Sequence, residues 1–124
     1  MTFSNKKYIF LIFMFFLSQL VCIVNSISVV FDVSAADVPN DDGSSIQLKW
    51  KNPANIGLKD IASYEILRSE LLGEMKSVGK ADASSDEYID SKLERNKAYY
   101  YIIRAKEKSG KSLDSAIIGP VIPT

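Results

Sequence analysis

Beyond Ile27, apolar and polar residues alternate along three well-marked stretches of the chain. From Ser45 to Lys51, Ile46, Leu48 and Trp50 alternate with Gln47, Lys49 and Lys51. Successive side chains of a strand point to opposite faces, so this pattern predicts a strand with one buried and one wet face. Tyr99 to Lys106 repeats it, with Tyr99, Tyr101, Ile103 and Ala105 on one side and Tyr100, Ile102, Arg104 and Lys106 on the other. Ile61 to Arg68 predicts a third strand, with Tyr64 and Ile66 inward and Glu65 and Leu67 outward. Weaker strands are expected at Phe31 to Ala36, Met75 to Gly79, Glu87 to Ile89 and Leu113 to Ile118. Turn formers separate them, among them Pro39-Asn40-Asp41-Asp42-Gly43, Asn52-Pro53, Ser84-Ser85-Asp86 and Lys108-Ser109-Gly110-Lys111. No stretch after Ile27 has helical periodicity. About seven short strands in about 100 residues predict an all-β antiparallel sandwich. Proline cannot donate to a sheet ladder, so residues 120–124 (Pro-Val-Ile-Pro-Thr) are expected to leave the domain as a linker.

The N-terminus has a different pattern. Lys6 and Lys7 precede an apolar run from Tyr8 to Leu17, which Ser18 and Gln19 dilute and which resumes from Leu20 to Val24. A basic start followed by an apolar core of about 10 residues matches a secretory signal. Val24-Asn25-Ser26 offers a cleavage site after Ser26. Counted through the two polar residues, the run reaches about 17 residues, the short limit of a membrane span, so an uncleaved anchor is the alternative. Lipidation of Cys22 fits poorly, because Leu20 and Val21 precede it where small residues are wanted. The expected organisation is therefore a signal or anchor helix over 1–26, a domain over 27–119 and a linker over 120–124.

Composition narrows the chemistry. The 124 residues contain no histidine, and formal net charge is zero. Without histidine the chain lacks the usual base near neutral pH and the usual zinc ligand. Cys22 is the only cysteine, so the expected domain holds no thiol and no disulfide. After Lys6 and Lys7 the chain carries a small acidic excess, which gives no long-range attraction for nucleic acid or an anionic membrane.

The order and spacing of several residues resemble the fibronectin type III family from about Val29 to Val121. Trp50 closes the second strand, Tyr64 opens the third, and Tyr88-Ile89-Asp90 stands as the fifth. Leu93 precedes Tyr99 at the spacing of the family's tyrosine corner. The segment Ser109 to Ser115 and Gly119-Pro120-Val121 resemble the last hairpin and strand of exported bacterial members. The resemblance implies a seven-stranded, immunoglobulin-like sandwich used as a binding module or spacer, with no catalytic residue to carry over. It implies that Trp50 packs between the sheets, and that the Tyr99 hydroxyl bonds to backbone near Leu93.

Several clusters invite a site. Asp37, Asn40, Asp41 and Asp42 carry oxygens a calcium ion would accept, but Val38 stands where an EF-hand needs a ligand, so the reading is a turn with Gly43 at positive φ. Asp82, Asp86, Glu87 and Asp90 are read as a solvated acidic edge, because a glycosidase pair needs a cleft. Lys106, Lys108 and Lys111, interrupted by Glu107, are read as a solvated tip. The outward residues of the third and sixth strands are Glu65, Leu67, Tyr100, Ile102 and Arg104. If the third and sixth strands are neighbours, as the resemblance implies, these residues share one face and predict an apolar patch between opposite charges, a pattern common at contact sites.

The expected function is a non-catalytic, extracytoplasmic module for protein interaction or spacing. It takes no cofactor, no metal and no nucleic acid, and meets a membrane only through residues 8–24 if these stay uncleaved. The alternatives are the first part of a longer envelope protein, or an accessory carbohydrate-binding module of a secreted enzyme.

Overall fold

The computed structural model describes residues 31–71 and 73–124. The signal or anchor segment 1–26 lies outside the described residues. Among the described residues the elements are β1 (Val33–Asp37), β2 (Ile46–Trp50), a 3-10 turn (Leu58–Asp60), β3 (Ile61–Glu70), β4 (Lys76–Asp82), β5 (Glu87–Asp90), β6 (Tyr99–Glu107), β7 (Ser112–Asp114) and β8 (Ile118–Val121). They form two antiparallel sheets, β1-β2-β5 and β4-β3-β6-β7, with β8 also paired to β6.

All seven expected strands are present, and the last is divided into β7 and β8. Ser115 makes the division tolerable. Its backbone N–H donates to the Ile103 carbonyl at 2.9 Å, and its Oγ accepts the Ile103 N–H at 3.0 Å. A side-chain oxygen thus replaces a strand carbonyl where the ladder is interrupted, so the buried donor of Ile103 stays paired. Farther along, a Cβ on Gly119 (φ 136) would lie 2.8 Å from the Tyr99 carbonyl oxygen and 2.9 Å from the Tyr100 ring. Only glycine lets β8 approach β6 there.

The inward residues of both sheets form one core. Ile46, Leu48 and Trp50 face Tyr64, Ile66, Tyr101, Ile103 and Ala105. Trp50 is 4% exposed, as expected from its place on the apolar face, and its ring centroid lies 5.2 Å from that of Tyr64. The Tyr64 hydroxyl donates to Asn52 Oδ1 at 2.9 Å, while the buried Trp50 Nε1 has no hydrogen-bond partner among the described residues. The tyrosine corner is present: the Glu94 N–H donates to the Tyr99 hydroxyl at 2.9 Å. Tyr88 packs over Gly79, where a Cβ would collide with its hydroxyl, and so holds β5 of one sheet against β4 of the other.

Residues 120–124 do not leave the domain as expected. Val121 faces the core, Pro123 is fully buried, and its carbonyl accepts the Asn96 N–H at 2.8 Å. The Thr124 N–H and hydroxyl both donate to the Asp37 carboxylate, at 2.9 and 2.7 Å. Pro120 is accommodated because β8 is an edge strand, where a missing donor breaks no further ladder.

Candidate functional site

Register decides which side chains share the outer face of the five-stranded sheet. Glu65 stands opposite Arg104, Leu67 opposite Ile102 and Ser69 opposite Tyr100. All five expected contact residues therefore lie together, in adjacent rows across β3 and β6. Their exposure differs from the expectation in one respect. Leu67 is 6% exposed although it is not part of the core cluster, so it is covered from its own side of the sheet. Tyr100 and Ile102 are half-buried, and the Tyr100 ring lies against Gly119. The accessible apolar surface is supplied instead from β8, where Ile118 and Val121 turn inward. Their sequence neighbours Ile117 and Ile122, just outside the two ends of β8, are 64% and 44% exposed. These two isoleucines were not foreseen. The strand pattern alone does not show where the last strand breaks, and hence which side of it faces water.

The face is divided between charge and apolar surface. Toward β7, Lys106 joins Glu65 at 2.6 Å, and Arg104 meets Asp114 through Nε and Nη2 at 2.7 and 3.1 Å. Lys106 holds the Glu65 carboxyl below the usual carboxylate range, and the Asp114 hydrogen bond raises Arg104. Toward β8 the face carries Leu67, Tyr100 and Ile102, with exposed Ile117 and Ile122 at the two ends of β8.

The other clusters resolve differently. Asp82, Asp86 and Glu87 are exposed, as a solvated edge requires. Asp90 is the exception, being 5% exposed and turned between the sheets. There Arg68 Nη1 donates to both of its oxygens at 2.9 and 3.0 Å, and the Tyr101 hydroxyl donates at 2.7 Å. The Arg68 guanidinium also lies 5.4 Å from the centre of the Tyr99 ring, a cation–π distance. Burial opposes the Arg68 charge, but the bond to Asp90 and its charge outweigh this and raise Arg68. Burial, and then the bond to Asp90, push the Tyr101 phenol well up. Asp90 is thus occupied by partners inside the chain and cannot act with Glu87 across a cleft.

In the first loop, Asn40 (φ 61) and Gly43 (φ 79) take left-handed backbone. Asp41 Oδ1 accepts the Gly43 N–H at 2.8 Å, and Asp42 accepts the Ser44 hydroxyl. With Asp37 bound to Thr124, these carboxylates serve the turn and the tail. Among the described residues no three acidic or sulfur side chains cluster closely enough to hold a metal ion. An open groove of about 570 Å³ on the smaller sheet is lined by Asp32, Ser34, Lys49, Lys51, Asp86 and Glu87. Its mixed charges and shallow form offer no single ligand chemistry.

No family model matches the chain, and no curated protein matches it by sequence. Solved structures do. An Fn3-like protein from Clostridium thermocellum is similar at a TM-score of 0.57 and 23% identity, over 76% of this chain and 90% of that one. The twitchin kinase region from C. elegans matches at 0.60 and 25% identity, over 70% of this chain and 15% of that one. The pectate lyase PelI from Erwinia chrysanthemi, in complex with tetragalacturonic acid, matches at 0.60 and 12% identity, over 71% of this chain. The chain spans about a quarter of the length of the pectate lyases it resembles.

Proposed function

From a fibronectin type III-like fold, we propose that this domain is a non-catalytic contact module, exported by residues 1–26, which engages a protein through the outer face of its five-stranded sheet. One observation carries the reading: the apolar end of that face, where β6 carries Tyr100 and Ile102 and the strand paired to it, β8, is flanked by exposed Ile117 and Ile122. Apolar side chains grouped inside a polar rim gain most when another surface removes them from water. The test is cross-linking of the full chain in cells through its lysines, since Lys80 and Lys106 lie on the same face. The double variant Tyr100→Ser, Ile102→Thr is expected to lose the protein adducts of the unaltered chain while still folding cooperatively. An unchanged set of adducts would overturn the reading.

The likeness to part of a pectate lyase favours a second reading, an accessory module of a polysaccharide-acting enzyme. Trp50, the only tryptophan, is in the core and unavailable to stack on a sugar ring. Retarded migration of the full chain in a gel containing polygalacturonate would support that reading, and unaltered migration would count against it.

A further inference from the structure

The outer face of the five-stranded sheet is ordered in rows that cross the strands. Lys80 on β4 stands opposite Glu65 on β3, Glu65 opposite Arg104 on β6, and Arg104 opposite Asp114 on β7. The charges along this row alternate plus, minus, plus, minus. Such a row is antisymmetric about the line between β3 and β6, because reversing its order reverses every sign. One neighbouring row holds Ser77, Leu67 and Ile102, and the other holds Asp82, Ser63, Lys106 and Ser112.

This antisymmetry selects a partner. Let a second copy approach face to face, related by a two-fold axis that lies in the plane of the face, parallel to the strands and midway between β3 and β6. Each row then meets its own reverse. Lys80 of one copy meets Asp114 of the other, Glu65 meets Arg104, Leu67 meets Ile102, and Lys106 meets Ser63. No like charges are opposed, and the strands of the two faces run nearly aligned, as packed sheets prefer. A slip by one strand is penalised in either direction. One slip sets Glu65 against Asp114 and Arg104 against Arg104, and the other sets Lys80 against Arg104 and Glu65 against Glu65. The pattern therefore specifies register by repulsion as well as attraction. The internal pairs Lys106–Glu65 and Arg104–Asp114 already hold the charged groups on this face.

We infer that the occupant of this face is a second copy of the chain, bound in that two-fold arrangement, an inference that rests on reading the face as a contact surface. Four strands at ~4.8 Å spacing and seven residues at ~3.4 Å give a footprint of about 400 Å². That is well below the ~800 Å² per partner of a stable complex, so the pair is weak and exchanges readily.

The experiment co-expresses two differently tagged full-length chains, fixes the exchanging pair with formaldehyde in the cell, and measures recovery of one with the other. Unaltered copies are expected to co-purify. Glu65→Arg with itself, and Arg104→Glu with itself, each oppose like charges, and recovery is expected to fall at least about tenfold. Glu65→Arg mixed with Arg104→Glu restores opposite charges at both contacts, and recovery is expected to return. If melting shows that either variant has not folded, Lys80→Glu and Asp114→Lys replace them, because they form the other reciprocal pair. Failure of the mixed pair to recover would overturn the two-fold arrangement. Absence of co-purification by unaltered copies would overturn the second copy as occupant. The contact reading itself would stand or fall separately, on whether Tyr100→Ser, Ile102→Thr removes protein adducts of any kind, to a second copy or to another protein.

Discussion

The two faces of β3 and β6 are opposite compositions, each holding a minority of the other kind. The inner face is apolar and encloses one ionic group, Asp90 with Arg68 and Tyr101. The outer face is polar and charged toward β7, and carries apolar side chains toward β8. Both minorities are costly in isolation, but only the inner one is satisfied within the chain. Asp90 accepts from Arg68 and Tyr101, so its charge is compensated where it is buried. Among the described residues, Tyr100 and Ile102 are only half covered, and Ile117 and Ile122 are exposed. Alternation along a strand separates what holds the fold from what is left outside it, and the proposed contact rests on that outer minority.

Substitutions can break this comparison from its strongest side first. Trp50→Ala removes the largest side chain between the sheets and is expected to cost ~3–5 kcal/mol, a large share of the ordinary stability of a domain. A melting temperature lowered by only a degree or two would contradict the packing described for the inner face. Asp90→Ala leaves Arg68 without its partner, and is expected to cost about 3 kcal/mol, at the low end for a buried pair because the Arg68 side chain is 26% exposed. Denaturant unfolding measures it, and a loss under about 1 kcal/mol would mean that water replaces the pair without penalty.

Tyr101→Phe is milder, at about 1–2 kcal/mol, since Asp90 keeps Arg68. Its phenol is pushed up on folding, and so is that of Tyr64. A raised phenol contributes stability that is present below the unfolded value and is lost as pH rises through and beyond it, near about 10. Unfolding at alkaline pH should therefore be less steep in Tyr101→Phe than in the unaltered chain. At the acid end, Asp37 is held low by the Thr124 hydroxyl and N–H, Glu65 by Lys106, and Glu70 by Lys97. Depressed carboxyls contribute stability above the ordinary range, lost as pH falls through and below about 4. Smallest of all is the outer double variant Tyr100→Ser, Ile102→Thr, expected to change unfolding by about 1 kcal/mol or less. A larger loss would show that the outer apolar group belongs to the fold.

The particular residues show how far sequence carries. The burial of Trp50 was legible from period-two alternation, and the bond at Tyr99 from the resemblance to the fibronectin type III tyrosine corner. The rows of Glu65, Leu67, Tyr100, Ile102 and Arg104 followed once β3 and β6 were taken as neighbours. Asp90 was not legible, since a carboxylate beside Glu87 reads as solvated until the cation from β3 is known to reach it across the sheets. Nor was the burial of Leu67, which depends on side chains from neighbouring strands. The break at Ser115 and the docking of Pro123 rest on hydrogen bonds to distant backbone, which no local pattern encodes.

The bond between Thr124 and Asp37 joins residues 87 positions apart. Loop closure of that span, like any pairing of high sequence separation, comes late and slowly in folding. During synthesis the chain emerges from its N-terminus, so β1 waits for this contact until Thr124 has cleared the ribosome. Pulse-labelled amide exchange on chains stalled beyond and short of Thr124 would reveal it, and equal protection in both would refute it. Until that moment the edge of β6 that β8 covers is an open template, and the nascent domain is most vulnerable to mispairing just before it is complete.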